Sequence, residues 1–84
     1  MRLDKFLKVA RIIKRRTVAK EACDGGRVSL NGRSAKAGAQ VALGDRITIS
    51  FGSRELEIEV VDLASTVRAN DASNLYRVIR DEAV

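Results

Sequence analysis

The hydrophobic periodicity of this chain changes from helical spacing to strict alternation at Gly25-Gly26, and this change constrains the fold more than any other feature. Before the two glycines, apolar residues recur at i, i+3, i+4, i+7 and i+10, the spacing of one helical face: Leu3, Phe6, Leu7, Ala10 and Ile13. After them, every second residue is apolar in three short segments, 28–30, 47–51 and 56–60. The sequence therefore predicts an α+β fold of one domain over residues 1–84, with two N-terminal helices packed on a small, mostly antiparallel sheet.

The two helices have predicted boundaries. We expect the first helix to end near Ile12 or Ile13, because a longer helix would place Lys14 within the apolar arc. Thr17 is predicted to cap the second helix, and Gly25-Gly26 to end it, since glycine adopts the left-handed conformation of a helix C-terminus without steric cost. The predicted inner face of the second helix carries small apolar residues: Val18, Ala19, Ala22 and Cys23.

Turn signals separate the predicted strands. Asn31-Gly32 predicts a two-residue hairpin turn, followed by a short polar return over residues 33–36. Gly44-Asp45 and Gly52-Ser53 predict the turns on either side of the next strand. In the segment that follows, glutamates alternate with the apolar residues: Glu55, Glu57 and Glu59. This pattern predicts a half-buried antiparallel hairpin with one wet, acidic edge.

The C-terminal segment after the hairpin has two interpretations. Asp71 would cap a short helix that uses Ala72, Leu75, Tyr76 and Ile79. Alternatively, the β-prone residues 76–79 would add a last strand. The sequence leaves both possibilities open.

Positive charge is concentrated in the first part of the chain. Residues 1–36 contain eleven Lys or Arg and three acidic residues, a net of +8, whereas residues 37–84 contain five Arg and eight acidic residues, a net of −3. A solvated helix face usually carries mixed charge, so this polarisation favours a polyanionic partner. The predicted RNA-binding residues are Arg2, Lys5, Lys8, Arg11, Lys14, Arg15, Arg16, Lys20, Arg27, Arg33 and Lys36.

The composition does not by itself separate RNA from DNA. The only aromatic residues are Phe6, Phe51 and Tyr76, which argues against a sheet that stacks single-stranded bases. Neither helix has an evident arrangement for the major groove of DNA. The sequence therefore favours a protein that recognises the shape of structured RNA.

Catalysis and cofactor binding have little support in the sequence. There is no His, and the lone Cys23 falls on a predicted inner face, where a small buried side chain is expected. The glutamates of the predicted edge are accompanied by no other type of metal ligand, and no phosphate-binding glycine loop is present. We therefore predict a non-catalytic protein without a cofactor or metal. A protein-interaction module that uses the acidic edge is the alternative from another class.

No segment of the sequence suggests a membrane location. The N-terminal residues are charged and lack the apolar core of a secretory signal, and no apolar run approaches the roughly 20 residues that cross a bilayer. A cytoplasmic protein is expected.

Four segments of the chain form a recognisable ordered set: Arg2-Leu3-Asp4-Lys5-Phe6-Leu7, Arg15-Arg16-Thr17-Val18-Ala19-Lys20, Gly26-Arg27-Val28-Ser29-Leu30-Asn31-Gly32, and residues 41–47. In this order they resemble the alpha-L RNA-binding motif, the domain named after small-subunit ribosomal protein S-four. The resemblance spans residues 2–51 and leaves 52–84 as a hairpin and short tail. It implies two helices on a small sheet whose basic surface grips structured RNA.

Within this family, the chain is most similar to the short stand-alone bacterial factors of ribosome quality control. Next come the heat-shock members, which carry a long basic C-terminal extension that this sequence lacks. The resemblance implies a monomer that binds large-subunit ribosomal RNA and peptidyl-tRNA on an obstructed subunit. It would hold the tRNA while a tailing factor on the same subunit adds C-terminal alanines. By motif position Arg2 and Arg16 would be the main RNA-binding residues. Asp4 would orient its basic neighbours or, alternatively, contact a ribose or base edge directly.

Overall fold

The computed structural model describes residues 1–64 and 69–83. Its elements follow the chain in this order: α1 (Leu3–Val9), α2 (Arg16–Asp24), β1 (Val28–Leu30), β2 (Arg33–Ser34), β3 (Arg46–Ser50), β4 (Arg54–Val60), a 3₁₀ helix (Ala69–Leu75) and β5 (Tyr76–Ala83). The strands of this part of the chain form one antiparallel sheet in the order β2-β1-β3-β4-β5. The predicted α+β fold, with two N-terminal helices and an antiparallel sheet, is confirmed.

Helix α1 ends at Val9, so the predicted end near Ile12 or Ile13 is wrong. The chain leaves the helix because Arg11 adopts a left-handed conformation, with φ 57°. The amide of Arg11 donates to the carbonyl of Lys8 (3.0 Å), and the amide of Ile12 donates to that of Leu7 (3.1 Å). These two bonds form a Schellman motif. Ile13 is nevertheless buried, so the apolar spacing continues past the end of the helix.

Helix α2 begins one residue before the predicted cap. Arg15 occupies the N-cap position in an extended conformation, and no side chain caps the helix, so the prediction for Thr17 is wrong. The predicted end at Gly25-Gly26 is confirmed: Gly26 has φ 81°, and the amide of Arg27 donates to the carbonyl of Ala22 (2.9 Å). Ala19, Ala22 and Cys23 are buried as predicted, whereas Val18 is 47% exposed and does not belong to the inner face.

The turn signals correctly locate the connections of the sheet. Asn31 and Gly32 both have positive φ (53° and 86°), the pattern of a type I′ turn, and Leu30 pairs with Arg33 across it. The Asn31 side chain also links this turn to the next one. Its oxygen accepts from the amide of Arg46 (2.9 Å), while its nitrogen donates to Asp45 Oδ1 (3.1 Å).

The core lies between the helices and one face of the sheet. Alternate residues of the two longest inner strands are buried there: Ile47, Ile49, Leu56, Ile58 and Val60. They belong to the same buried cluster as Leu3, Phe6 and Leu7 of α1, each of which is fully buried. Phe6 is the one aromatic residue among the buried members of this cluster, so the described core is almost entirely aliphatic.

The glutamates of β4 do not form an exposed edge, which corrects that prediction. Strand β4 lies between β3 and β5, so the described edges of the sheet are β2 and β5. On the face opposite the core, each glutamate contacts an arginine. Glu55 contacts Arg80 (2.6 Å), Glu57 contacts Arg80 and Arg46 (3.4 and 3.8 Å), and Glu59 contacts Arg77. The acidic series is therefore neutralised within the chain.

The C-terminal segment forms a strand, preceded by a short 3₁₀ helix. Ala72 and Leu75 are buried in the 3₁₀ helix, and the carbonyl of Leu75 accepts from the amide of Val61 (2.9 Å). Asp71 lies inside this short helix rather than at its cap. The strand begins at Tyr76, opposite Val60. Long-range pairing with β4 thus selects the strand interpretation, which a single segment of sequence cannot reveal.

None of the helices in residues 1–64 and 69–83 is both long and apolar enough to cross a membrane.

Each helix ends at a residue with positive φ, Arg11 after α1 and Gly26 after α2, and these two positions generate a stability prediction. Replacing Arg11, whose φ is 57°, by Gly removes the steric cost of the left-handed conformation, so the free energy of unfolding should rise by about 0.5–1 kcal/mol. The matched change Gly26→Ala at φ 81° should lower it by about 1 kcal/mol. Urea denaturation of both variants measures the two values. A destabilised Arg11→Gly variant would show that relief of the left-handed backbone strain does not dominate the effect of the substitution.

Candidate RNA-binding surface

A buried carboxylate, that of Asp4, lies at the centre of the candidate site. Its side chain is 3% exposed, although it sits in the first turn of α1. Asp4 Oδ1 accepts from Arg2 Nε (3.1 Å) and from the amide of Lys5 (2.8 Å), while Oδ2 lies 3.3 Å from Arg16 Nε. The carboxylate therefore joins residues from two helices and from the chain before α1. This arrangement agrees with the expectation that Asp4 orients basic neighbours.

Local backbone structure holds both arginines in place. Arg2 is the extended N-cap of α1 and forms an isolated antiparallel bridge with Gln40. The amide of Leu3 donates to the carbonyl of Ala39 (2.8 Å), which fixes the chain beside Arg2. Arg16 is the first residue of α2. Twelve residues of sequence separate Asp4 from Arg16, so only the packing of α1 on α2 brings them together.

The arginines remain accessible while Asp4 is buried. The side chains of Arg2 and Arg16 are 46% and 48% exposed. With Lys20 and Thr17 they line an open depression of about 380 Å³, at whose base Asp4 lies. Three cations surround one carboxylate there, so the depression carries a net positive charge. Guanidinium groups fixed in this way can form paired hydrogen bonds with a phosphate at little entropic cost.

The charge of Asp4 depends on its arginine partners. Burial raises the pKa of the Asp4 carboxyl, but hydrogen bonds from Arg2 and Arg16, together with the positive charge of Arg16 and the amide of Lys5, outweigh burial and lower the pKa below its usual value. The carboxylate is therefore ionised at neutral pH. It compensates part of the repulsion between the two arginines.

The other predicted RNA-binding residues lie outside this depression. Lys5 and Lys8 lie on α1; Arg11, Lys14 and Arg15 lie in the connection to α2; Arg27 precedes β1; Arg33 lies on β2, and Lys36 follows it. All are exposed except Lys5, which is half-buried. Lys36 Nζ donates to the carbonyl of Asp24 (3.3 Å), at the end of α2. Of the predicted set, the structure brings Arg2, Arg16 and Lys20 into one depression.

Ion pairing divides the cations of the chain into two groups. Within the described residues, the ion pairs of the predicted set involve only Arg2 and Arg16, both with Asp4. By contrast, every described cation of the second half has a carboxylate partner: Arg46, Arg54, Arg77 and Arg80. The positive potential is therefore concentrated on the helices and the connections beside them, while the outer face of the sheet is self-neutralised.

Thr17 is the residue of the depression that the sequence analysis assigned to another role. It lines the depression beside Arg16, and no capping hydrogen bond uses its side chain. Its position directly after the paired Arg15-Arg16 was the one signal that could have indicated this. The local pattern of a helix start concealed it, because threonine is favoured at N-caps.

Cys23 is a structural residue. It is fully buried, and burial, together with the charges of Asp4 and Asp24, raises the pKa of its thiol to about 11. The thiol is therefore protonated at neutral pH and is a poor nucleophile. Within residues 1–64 and 69–83, no group of three or more His, Cys, Asp or Glu could hold a metal ion.

Comparison with known proteins identifies close relatives. The family model of the S4 domain matches residues 1–47. The chain is 51% identical over 84 residues to an RQC P-site tRNA stabilizing factor of Halalkalibacterium halodurans, covering all of this chain and 96% of that protein. It is 49% identical to the factor of the same name from Bacillus subtilis, covering 98% and 95%. Trimeric heat shock protein 15 of Vibrio cholerae is similar in structure, with a TM-score of 0.87, 38% identity, and coverage of 93% of this chain and 80% of that one.

The position of Asp4 predicts the effect of removing its charge. Asp4→Asn removes the negative charge that both arginines contact, so we expect the free energy of unfolding to fall. The fall should be limited to about 1–2 kcal/mol, because both exposed arginines can be solvated by water instead. Asp62→Asn is the matched control, because Asp62 is exposed and, among the described residues, its carboxylate accepts only from the amide of Leu63. It should stay within about 0.5 kcal/mol of the parent in the same urea denaturation. Equal effects of the two substitutions would contradict the central role of Asp4.

The pKa of Asp4 also predicts how stability depends on pH. The unfolded carboxyl takes up a proton near its usual pKa of 3.8, whereas the folded carboxyl does so only at lower pH. The contribution of Asp4 is therefore complete above about pH 5 and is lost as the pH falls through the folded pKa. Urea denaturation between pH 7 and pH 3 should show a steeper loss for the parent than for Asp4→Asn. Parallel pH profiles would show that Asp4 has the same pKa in both states.

Proposed function

The chain belongs to the S4-domain family and, within it, to the RQC P-site tRNA stabilizing factors, and from this premise we propose that it is a non-catalytic RNA-binding factor of ribosome quality control. It binds a large ribosomal subunit obstructed by peptidyl-tRNA and stabilises the P-site tRNA by contacting ribosomal RNA and tRNA. The observation that carries this proposal is the 51% identity over the whole chain to a factor of that name.

The distribution of charge supports binding through the helices. The cations of residues 1–36 are largely free of carboxylate partners within the described chain, so they can neutralise phosphates and release counterions. The outer face of the sheet would offer RNA no comparable gain, because its arginines already contact glutamates. The protein therefore docks with the helix side, and residues 1–84 act as one RNA-binding domain.

Arg2 and Arg16 are the leading contacts of the proposal. Each uses Nε and Nη2 to contact Asp4, so in the described chain the Nη1 group has no hydrogen-bond partner. Two guanidinium groups held on one carboxylate present a fixed pair of donors to an RNA backbone or base edge. Lys5, Lys8, Arg11, Lys14, Arg15, Lys20, Arg27, Arg33 and Lys36 add phosphate contacts around them.

The proposal extends to the other components of the process. The factor acts as a monomer on the ribosome, in the cytoplasm, and holds the tRNA while a separate tailing factor on the same subunit adds C-terminal alanines. The self-neutralised glutamates of β4 argue against a recruiting surface for a basic protein at that position. Contact with the tailing factor would have to use another surface, or run through the tRNA that both proteins bind.

A second candidate function is recycling of large subunits in the manner of the heat-shock members of the family. The observation that favours it is the TM-score of 0.87 to heat shock protein 15 of Vibrio cholerae. The two functions are separated by testing the protein in cells that accumulate obstructed subunits. Loss of C-terminal alanine tails on stalled chains after deletion supports quality control, whereas intact tails and unreleased subunits support recycling.

Binding to purified obstructed large subunits tests the site. Arg16→Ala should weaken binding, and the slope of log affinity against log salt should become shallower by about 0.7–0.9, because one phosphate contact is lost. Arg77→Ala is the matched control, since Arg77 is 63% exposed and contacts Glu59 on the opposite face of the sheet. It should leave both the affinity and the slope unchanged. The assignment of Arg16 fails if its removal changes neither quantity.

A further inference from the structure

An apolar groove lies on the opposite flank of α2 from the arginine depression. It encloses about 220 Å³ and is lined mainly by residues of α2 and of the α1–α2, α2–β1 and β3–β4 connections: Ile12, Ile13, Val18, Ala22, Arg27 and Phe51. Val18 and Arg16 lie two positions apart on α2, about 200° around the helix axis, so the groove and the depression face different directions. The Asp4 site does not include any part of this groove.

Two large apolar side chains are exposed at the groove. Val18 is 47% and Phe51 is 41% exposed. Val18 lies at an exposed position of α2, and Phe51 directly follows β3. Adjacent exposed apolar side chains around a concave surface are typical of a binding site rather than of an ordinary protein surface.

The charge around the groove identifies the chemistry of its occupant. Arg27 forms one wall, and the exposed cations Arg11 and Lys14 directly flank Ile12 and Ile13 in the chain. Within the described residues, none of these three cations is in an ion pair, and the groove lining contains no acidic residue. An apolar recess with an aromatic wall and free cations at its rim matches a nucleobase whose flanking phosphates remain in solvent.

The volume of the groove limits how much can enter. Pockets for drug-sized molecules and cofactors enclose about 300–1,000 Å³, so a groove of about 220 Å³ suits a smaller group. A single planar base, lying against Phe51 and the Val18 methyl groups, fits this description. The bonding edge of the base could then reach the Arg27 guanidinium, which can donate to base acceptors.

We propose that this groove binds one unstacked nucleobase of the RNA that also contacts Arg2 and Arg16; this inference rests on the proposed function. The connection over residues 13–16 runs from the groove to the depression, with Lys14 and Arg15 exposed between them. An RNA strand that leaves the depression therefore passes two cations before it reaches the groove. The two sites together explain why free cations occur on both flanks of α2.

Affinity and salt dependence test the groove on obstructed large subunits. Phe51→Ser should weaken binding about 5- to 100-fold, the range expected for a lost base–aromatic stack. The salt slope should stay unchanged, since no phosphate contact is removed. Phe51→Tyr should restore binding, because it keeps the aromatic face. Val18→Ser should also weaken binding, whereas Leu43→Ser, at a residue that is 64% exposed and outside the groove, should have no effect.

Each alternative result has a defined meaning. Unchanged affinity of Phe51→Ser and Val18→Ser, with thermal unfolding showing both variants folded, overturns the groove. A changed salt slope overturns it too, because the loss would then be electrostatic. If Arg16→Ala weakens binding while these variants do not, only the groove fails. If none of the three variants weakens binding, the proposed function fails as well.

Crosslinking identifies the occupant. Phe51→p-benzoylphenylalanine, irradiated on the obstructed subunit, should crosslink to one unpaired nucleotide of ribosomal RNA or tRNA. Crosslinks to a ribosomal protein, to a second copy of this chain or to nothing would overturn the proposal. Leu43→p-benzoylphenylalanine serves as the control for nonspecific proximity.

Discussion

The contact of the buried Asp4 carboxylate with Arg2 and Arg16 is the interaction on which the arrangement of the binding surface depends. It joins the start of α1, the start of α2 and the extended residue before α1 at one point. A buried carboxylate without partners would be costly, so the arginines are required for burial and are themselves held by it. Because both remain about half exposed, the contact that stabilises the helix pair also presents two fixed guanidinium groups.

The distribution of net charge between the two halves of the molecule depends on which charged side chains have an oppositely charged partner. Glu55, Glu57 and Glu59 face the arginines of neighbouring strands across β4, where antiparallel pairing sets the register. Their charges are neutralised by these arginines within the sheet. The cations of the helical half have few carboxylates within reach, and Asp4 already serves two of them. Only solvent or a polyanion can therefore neutralise the remaining cations, and the positive potential is concentrated on the helical side of the molecule.

Local signals in the sequence predicted the elements well where the cause was local. Gly26 ends α2 and Asn31-Gly32 makes the hairpin turn, because these residues adopt positive φ readily. Prediction failed where the sequence carries no local signal or where distant contacts decide. Arg11 ends α1 in a conformation that non-glycine residues rarely adopt, and Val18 is 47% exposed although the helical spacing placed it on the inner face. The strand at Tyr76 depended on pairing with Val60, sixteen residues earlier.

The sequence by itself determined the fold class and the charged half of the molecule, because periodicity, turn chemistry and net charge are properties of short segments. Only the tertiary structure decided which cations act together. Helix packing brings Arg16 to Asp4 across twelve residues, and sheet pairing places β4 in the interior and neutralises its glutamates. These outcomes depend on contacts between side chains that are far apart in sequence, and such side chains come close together only once the core has formed.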